Sequence, residues 1–498
     1  MPSHKIFSPL LIKQFETLTL KSQQGSNNQC KVKSRMKSAQ PKAIKRGERI
    51  LTEKPFAYVL KSKYRKERCD NCLNQNKVMK CSNCNYVYYC NRACQMQAWP
   101  LHKIECPMLK RVFPRIVPDA ARMLCRLIIR LDNGGDLVRG YCTPTCYRKF
   151  RDLMSRKLMM IMVDTDHTKN LFNLIIDYQE IKHDPKRVEH LESLYVILSE
   201  MMQNDTVLPN QAELLSIHGR LITNGFNILD AEMNSIATAI YLGVSITDHS
   251  CKPNAVATFE GTTLHIHAIE DMECLDWSKI FISYIDLLNT PAQRRGDLKE
   301  NYYFWCVCSK CIDPQETVEM QAAKCPNPKC SAPLDITLSN CLYCDAGISP
   351  RYRNGFQEAI NLTKNHLENM KDVAYLDVCK ICLKKHKDFV HSLNVWHVKI
   401  LDAAFEAAIA VSKWGEALDY GKQLLPGFRK YYGDWNPLLG LLYMKLAKIQ
   451  LYENFLKEAI YNFQEAKKIL EVTHGPDHSL LQTQLKPLLL QAIADNSA

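Results

Sequence analysis

Residues 69–106 read CDNCLNQNKVMKCSNCNYVYYCNRACQMQAWPLHKIEC. The stretch carries Cys69, Cys72, Cys81, Cys84, Cys90, Cys94, His102 and Cys106, spaced C-x2-C-x8-C-x2-C-x5-C-x3-C-x7-H-x3-C. Eight soft ligands in close order fill two tetrahedral zinc sites. With four protein ligands on each ion no position stays open, so such zinc is structural rather than catalytic. Between ligands, Tyr86 to Tyr89 is expected as a short strand and Ala93 to Trp99 as a short helix carrying Cys94.

Working outward, 498 residues with 46% apolar content suit a globular chain of two to four domains. The formal net charge is +13, and much of the excess lies before the finger. Such a basic face suits either plain solvation or weak contact with nucleic acid or acidic protein. The 22 cysteines come without a secretory signal: the apolar run Leu10 to Ile12 is cut by Lys13, and no small-residue cleavage site follows. No apolar run is long enough to span a membrane, so no membrane partner is expected. Clustered cysteines then point to metal in a reducing compartment, cytoplasm and nucleus.

Residues 1–36 form a basic N-terminal segment poorly specified by pattern. Residues 37–68 begin a domain, with a turn at Gly47-Glu48 and strands reaching Leu60. After the finger at 69–106, residues 107–215 read as helical. Leu124, Leu127, Ile128 and Leu131 recur at helical spacing, and Leu171 to Ile181 and Val188 to Met202 repeat the signal. Residues 216–290 read as strands: Ile222 to Leu229, Ala255 to Phe259, Leu264 to Ala268 and Ile280 to Ile285. Residues 291–349 hold further cysteines, and 350–498 return to helix. In that last part Glu416-Ala417-Leu418 recurs as Glu458-Ala459-Ile460, and Gly433 to Leu438 as Gly475 to Leu480, both 42 residues on. A helical hairpin repeated at that period resembles a tetratricopeptide-like array.

Three further cysteine groups stand out. Cys306-Val307-Cys308-Ser309-Lys310-Cys311 supplies three ligands, and Cys251 is an attractive fourth if the two segments meet. Cys325, Cys330, Cys341 and Cys344 form two knuckles that suit another tetrahedral zinc. Cys379 and Cys382, with His386, share a helix face and read as core rather than ligands, as do Cys142 and Cys146. His265 and His267 alternate on a strand and are expected as a satisfied or exposed pair.

The finger resembles a MYND finger, down to its Tyr88-Tyr89-Cys90 and its Gln95 or Gln97, Trp99, His102 and Cys106 ending. That resemblance implies interleaved pairing: Cys69, Cys72, Cys90 and Cys94 on one zinc, Cys81, Cys84, His102 and Cys106 on the other. It also implies a module that binds peptide partners. Asp248-His249-Ser250-Cys251-Lys252-Pro253-Asn254, then Tyr284, then Cys306 to Cys311 resemble the signature of a SET domain with its post-SET zinc. Together these resemble the SMYD family of protein-lysine methyltransferases over roughly residues 40–498, in impression nearest its third member. The implied fold is α+β: a SET β-fold split by the MYND finger and a helical insert, a post-SET zinc site, and a C-terminal all-α TPR-like domain. A monomer is expected.

The resemblance also implies roles. S-adenosylmethionine would be held by Asn224, Asp248, His249 and Phe304. Phe226, Tyr284 and Tyr302 would line the lysine channel, with Tyr284 orienting the target amine. Three places differ from the family pattern. No glycine lies between Gly25 and Gly47, where a Gly-x-Gly turn is expected near Arg35-Met36-Lys37. An N-terminus other than residues 1–36, bearing those glycines, is one explanation. Asp248 stands for an asparagine, and Leu275-Asp276-Trp277-Ser278 for an acidic turn. The expected function is methylation of histone or non-histone lysines in transcription and chromatin. The alternative is a catalytically weak or inactive scaffold that binds partners through the finger and the helical array.

Overall fold

A computed structural model describes residues 42–153, 181–203, 207–370 and 375–497. Residues 1–36, the Arg35-Met36-Lys37 stretch and all but the last residue of the expected Leu171 to Ile181 helix lie outside these.

Gly47 turns the chain at φ 86°, a backbone region that suits glycine. The chain then enters β1 (Arg49–Glu53) and β2 (Ala57–Leu60). Each joins a different antiparallel sheet. β1 pairs with β11 (Thr263–Ala268), which also pairs with β10 (Ala255–Glu260), in register Thr52↔His265 and Val256↔His267. β2 pairs with β8 (Ser235–Ile240), which pairs with β7 (Gly225–Leu229). A parallel pair completes the strand-rich part: β9 (Asp248–His249) against β12 (Phe281–Ile282). Leu60, Ile228, Ile236, Tyr241, Leu264, Ile266 and Ile280 are buried in one core between these sheets. β8 and β11, each the central strand of its sheet, are buried on both faces, with Ile236 beside Ala237 and Ile266 beside His267.

Two elements differ from the pattern expectation. Extended chain expected from Ile222 begins only at Gly225, because the helix Gln211–Asn224 runs into it. β8, the central strand of its sheet, has no counterpart among the expected strands. The run SIATAI carries two alanines, which have weak β-propensity and act here as small core-facing residues.

The helices are α1 (Arg92–Val112), α2 (Asp119–Asp132), α3 (Pro185–Met201), α4 (Gln211–Asn224), α5 (Pro291–Tyr302), α6 (Ser309–Ile312) and α7 (Pro314–Met320). Helix α1 carries Cys94 as expected, but it does not stop near Trp99. It runs on through Pro100 and Pro107 because His102, Glu105 and Cys106 are all held on its buried side. Helix α2 packs on β2 and on α1 and α3.

The C-terminal helices are α8 (Pro350–Asn369), α9 (Leu376–Phe389), α10 (Val395–Ala410), α11 (Trp414–Tyr432), α12 (Pro437–Tyr452), α13 (Leu456–His474) and α14 (Lys486–Ser497). The repeat inferred from short segments extends to whole elements. Helices α10 and α11 recur as α12 and α13 with both ends displaced by the same 42 residues. Their turns match too: Ser412 and Asn454 have φ of 57° and 62°, Gly433 and Gly475 of 83° and 86°. Helix α13 packs against β10 and β11, so the end of the repeat returns to the strand-rich part.

Candidate functional site

The finger is organised by a two-stranded ribbon, β3 (Met79–Lys80) with β4 (Tyr88–Tyr89), and by α1. Asn91 caps α1 by accepting from the Cys94 amide at 2.8 Å. The fold brings Cys69, Cys72, Cys90 and Cys94 together, and separately Cys81, Cys84, His102 and Cys106, with all potential ligand atoms of each set within 4.8 Å of one another. Within the sets, Cys90 and Cys94 sulfurs are 3.5 Å apart, Cys72 and Cys90 3.8 Å, and Cys81 and Cys106 3.9 Å. Sulfurs at the corners of a zinc tetrahedron with bonds of about 2.3 Å stand about 3.8 Å apart. The donor sets therefore fit zinc, and they follow the interleaved pairing.

Behind the second set lies a group that pattern reading did not find. Arg122 and Arg126, one helical turn apart on α2, face Asp70 and Glu105 from the finger, all four buried. Arg122 donates to Asp70 at 2.7 Å and to Glu105 at 2.8 Å; Arg126 does so at 2.7 and 2.9 Å. Burial opposes charge on both carboxyls, but the two guanidinium groups outweigh it and hold them below their ordinary range. Glu105 also lies 3.8 Å from Nδ1 of His102, on the side away from the cysteines. The available signal was two arginines four residues apart inside an otherwise apolar helix stripe.

Cys251 does meet Cys306, Cys308 and Cys311 as a third set, and Cys325, Cys330, Cys341 and Cys344 form a fourth. Cys251 and Cys311 sulfurs are 3.5 Å apart. Arg294, fully buried, points Nη2 at the Cys311 sulfur from 3.9 Å and pairs through Nη1 with Glu316 at 2.7 Å. Lys310, between the ligands, donates to the Tyr431 carbonyl at 2.9 Å and so ties this set to α11.

Of the candidate cofactor and channel residues, His249, Tyr284, Tyr302 and Phe304 gather beside the third set. The parallel β9–β12 pairing puts Asp248 opposite Phe281 and His249 opposite Ile282. It thereby delivers Tyr284 to His249, whose rings lie 5.1 Å apart. Tyr284 is also 5.1 Å from Tyr302, and His249 6.0 Å from Phe304. The Tyr284 hydroxyl donates to the Thr247 carbonyl. Two residues on, Asp286 accepts from the Tyr432 hydroxyl at 2.8 Å, so the helical repeat borders this group. Phe226 is half-buried, edge-on to Tyr241 at 5.6 Å, and packs against the same core as Tyr284. Asn224 is placed differently: it ends α4, fully buried, and its side-chain amide donates to the carbonyls of Leu153 and Arg220.

The turn leading into β9 is held by residues that sequence reasoning passed over. Glu53 accepts from the amides of Gly243 and Val244 at 2.9 and 2.8 Å, and burial raises its carboxyl above the ordinary range. The expected acidic turn is instead a short 3-10 turn at Trp277–Lys279. Asp276 caps it by accepting from the Ser278 amide at 3.0 Å.

The groups read as structural behave so. His386 meets Thr363 at 2.7 Å and His397 at 3.2 Å, beside buried Cys379 and Cys382. His265 and His267 are buried rather than exposed: they sit beneath the end of α13, at 2.9 Å from Thr52 and 3.4 Å from Arg49. Among the described residues no helix is long and apolar enough to cross a membrane.

The chain is similar to known proteins. A family model, the MYND finger, matches residues 69–106. Human "Histone-lysine N-methyltransferase SMYD3" is 27% identical over 440 residues, covering 88% of this chain and 91% of that protein. Human "N-lysine methyltransferase SMYD2" is 24% identical, covering 87% and 90%. "Histone-lysine N-methyltransferase ASHR1" of Arabidopsis thaliana is 26% identical, covering 86% and 87%.

Proposed function

We propose that this chain, which belongs to the SMYD family, is an S-adenosylmethionine-dependent protein-lysine N-methyltransferase. The observation that carries this reading is the β9–β12 pairing, which sets Tyr284, His249, Tyr302 and Phe304 in one aromatic group beside the Cys251 set. In this reading the two sheets with the parallel pair are a SET core, the finger and helices α2 to α4 are inserted into it, and α8 to α14 are a TPR-like domain.

Aromatic faces and aligned carbonyls suit a cationic sulfonium, so the residues present fit the cofactor. Asp248, His249 and Phe304 would hold it, whereas Asn224 is committed to the Leu153 and Arg220 carbonyls. S-adenosylmethionine supplies the methyl group. Phe226, Tyr284 and Tyr302 would line the lysine channel. Their low-dielectric walls disfavour an ammonium, so the lysine amine enters neutral and nucleophilic. The Tyr284 hydroxyl and the Thr247 carbonyl would orient that amine towards the methyl donor, and such alignment lowers a barrier by several kcal/mol. The two finger sets, the Cys251 set and the Cys325 set would each hold one zinc. All four are structural.

Substrates are histone or non-histone proteins presenting lysine, in cytoplasm and nucleus, with peptide partners on the finger. A second reading is favoured by Asp248 and by the Asp276-capped turn: a scaffold whose cofactor site is weak, because a carboxylate lacks the amide donor. Calorimetric titration of the zinc-loaded chain with S-adenosylhomocysteine separates them. Saturable binding, together with methyl transfer to a lysine peptide that falls at least tenfold in Tyr284→Phe, supports the enzyme. A folded chain that binds no cofactor would refute it.

A further inference from the structure

Cys142 and Cys146 belong to none of the four metal-ligand sets, yet their sulfurs are 3.3 Å apart. That is closer than the 3.5 Å between Cys90 and Cys94 inside the finger. The backbone explains the approach. Strands β5 (Gly140–Tyr141) and β6 (Tyr147–Arg148) pair as Gly140↔Arg148 and Tyr141↔Tyr147, so the next opposed residues are Cys142 and Cys146. The Cys142 amide donates to the Cys146 carbonyl at 3.0 Å, and the Cys146 amide to the Thr143 hydroxyl at 2.9 Å. Opposed residues of an antiparallel pair have Cα atoms about 4.5–5.5 Å apart, within the span a disulfide accepts. Starting from 3.3 Å, the sulfurs need to close by only about 1.2 Å to reach bonding distance. Cys146 is partly exposed, whereas Cys142 is buried.

We propose that Cys142 and Cys146 are a redox modification site, a dithiol that peroxides convert reversibly to an intrachain disulfide. The exposed sulfur reacts first: the Cys146 thiolate displaces hydroxide from hydrogen peroxide and becomes a sulfenic acid. The Cys142 thiol then displaces water from it and forms the S–S bond. Two thiols lose two electrons and two protons, and peroxide becomes two waters. A small dithiol reverses the step by exchange. The hairpin rests on the turn before β9. A Cβ at Gly243 would meet the Tyr141 carbonyl oxygen at 2.7 Å, and Arg148 donates to the Ser245 carbonyl at 2.6 Å. Oxidation therefore occurs next to the chain that supplies Asp248 and His249, although the site itself does not depend on the methyltransferase reading.

The test uses the full, zinc-loaded chain treated with hydrogen peroxide, then alkylated and digested with trypsin. Cleavage after Arg139 and Arg148 leaves both cysteines on one nine-residue peptide. That peptide is expected to lose two hydrogens and both alkyl labels before a chromogenic chelator detects zinc release. Dithiothreitol should restore both labels. In Cys142→Ser, Cys146 should instead be trapped by dimedone as a sulfenic acid. The proposal is overturned if the wild-type peptide keeps both labels until zinc leaves. It is equally overturned if Cys146 pairs only with a second chain, or goes on to sulfinic acid without a disulfide. Should Cys142→Ser not fold, the wild-type peptide alone decides.

Discussion

Tyr284 and His249 are joined through the backbone as well as the rings: the Tyr284 amide donates to Nδ1 of His249 at 3.1 Å. An accepting Nδ1 fixes the tautomer, so the proton of the neutral ring sits on Nε2, which lies 3.3 Å from the Cys251 sulfur. One imidazole thus connects the proposed catalytic tyrosine to a metal-ligand set.

His249→Phe keeps an aromatic ring at this position but removes both nitrogens. It leaves the Tyr284 amide without its acceptor and should cost roughly 1–3 kcal/mol in urea denaturation. Methyl transfer should fall along with cofactor affinity. Full stability in this variant would show that the link is incidental.

The buried Arg122, Arg126, Asp70 and Glu105 group is balanced, two charges against two. Arg126→Met leaves a buried carboxylate excess and should destabilise by about 3–5 kcal/mol, read as an earlier cooperative unfolding of the finger with α2. Replacing the opposing carboxylate as well, as Asp70→Asn in the same chain, should recover part of the loss. A double variant as unstable as the sum of the singles would argue against direct coupling.

His267 and His474 meet where β11 packs under α13. Burial, then Arg49 and the neighbouring imidazoles, push His267 down to about 3; burial, then His478 and His267, push His474 to about 3. His265 is shifted the same way, and Glu260 and Thr473 complete the surroundings. Unfolding returns these rings to an ordinary value of 6.5, so below it the unfolded chain binds more protons. Their contribution to stability is complete above that value and is lost as pH falls towards about 3, with a slope of up to roughly 1.4 kcal/mol per pH unit for each ring. His267→Gln should flatten this slope relative to wild type in denaturation at successive pH values. Parallel curves would reject the assignment.

Gly433 and Gly475 occupy equivalent turns at φ 83°, ψ 174° and φ 86°, ψ 151°, a region open essentially to glycine. Gly433→Ala, with open space around it, should cost about 1–3 kcal/mol from the backbone alone. Gly475→Ala should cost more, since its Cβ would come within 3.1 Å of His267 Nε2 and 3.3 Å of Arg49. Equal losses measured by thermal unfolding would contradict this ordering.

Elemental analysis of purified chain should find four zinc ions for each polypeptide, one for each ligand set. Cys344→Ser should remove one and loosen only the link around residues 325–348, whereas Cys84→Ser should remove a finger ion and lower overall stability. Retention of four ions in Cys344→Ser would exclude the fourth site.

Much of this molecule was legible in sequence. Metal ligands announce themselves because chemistry restricts them to few residue types at short spacings, and all four sets formed as spacing and resemblance implied. The helical repeat was legible because equivalent turns need equivalent glycines. Less legible were β8, whose alanines carry little strand signal, and the continuation of α1 past Pro100. Local propensity opposed both, and tertiary contacts overrode it.

By itself, then, the sequence determined the ligand-bearing segments and their spacing, the order of strand-rich and helical parts, and the aromatic residues proposed for the channel. Only the tertiary structure decided that Cys251 reaches Cys306, Cys308 and Cys311, that His249 lies under Tyr284, and that two arginines neutralise a buried carboxylate pair. It also decided that His267 lies beneath α13. Spacing along a chain is a local property that a pattern can carry. Juxtaposition of residues far apart in sequence depends on strand pairing and helix packing, which no single segment encodes.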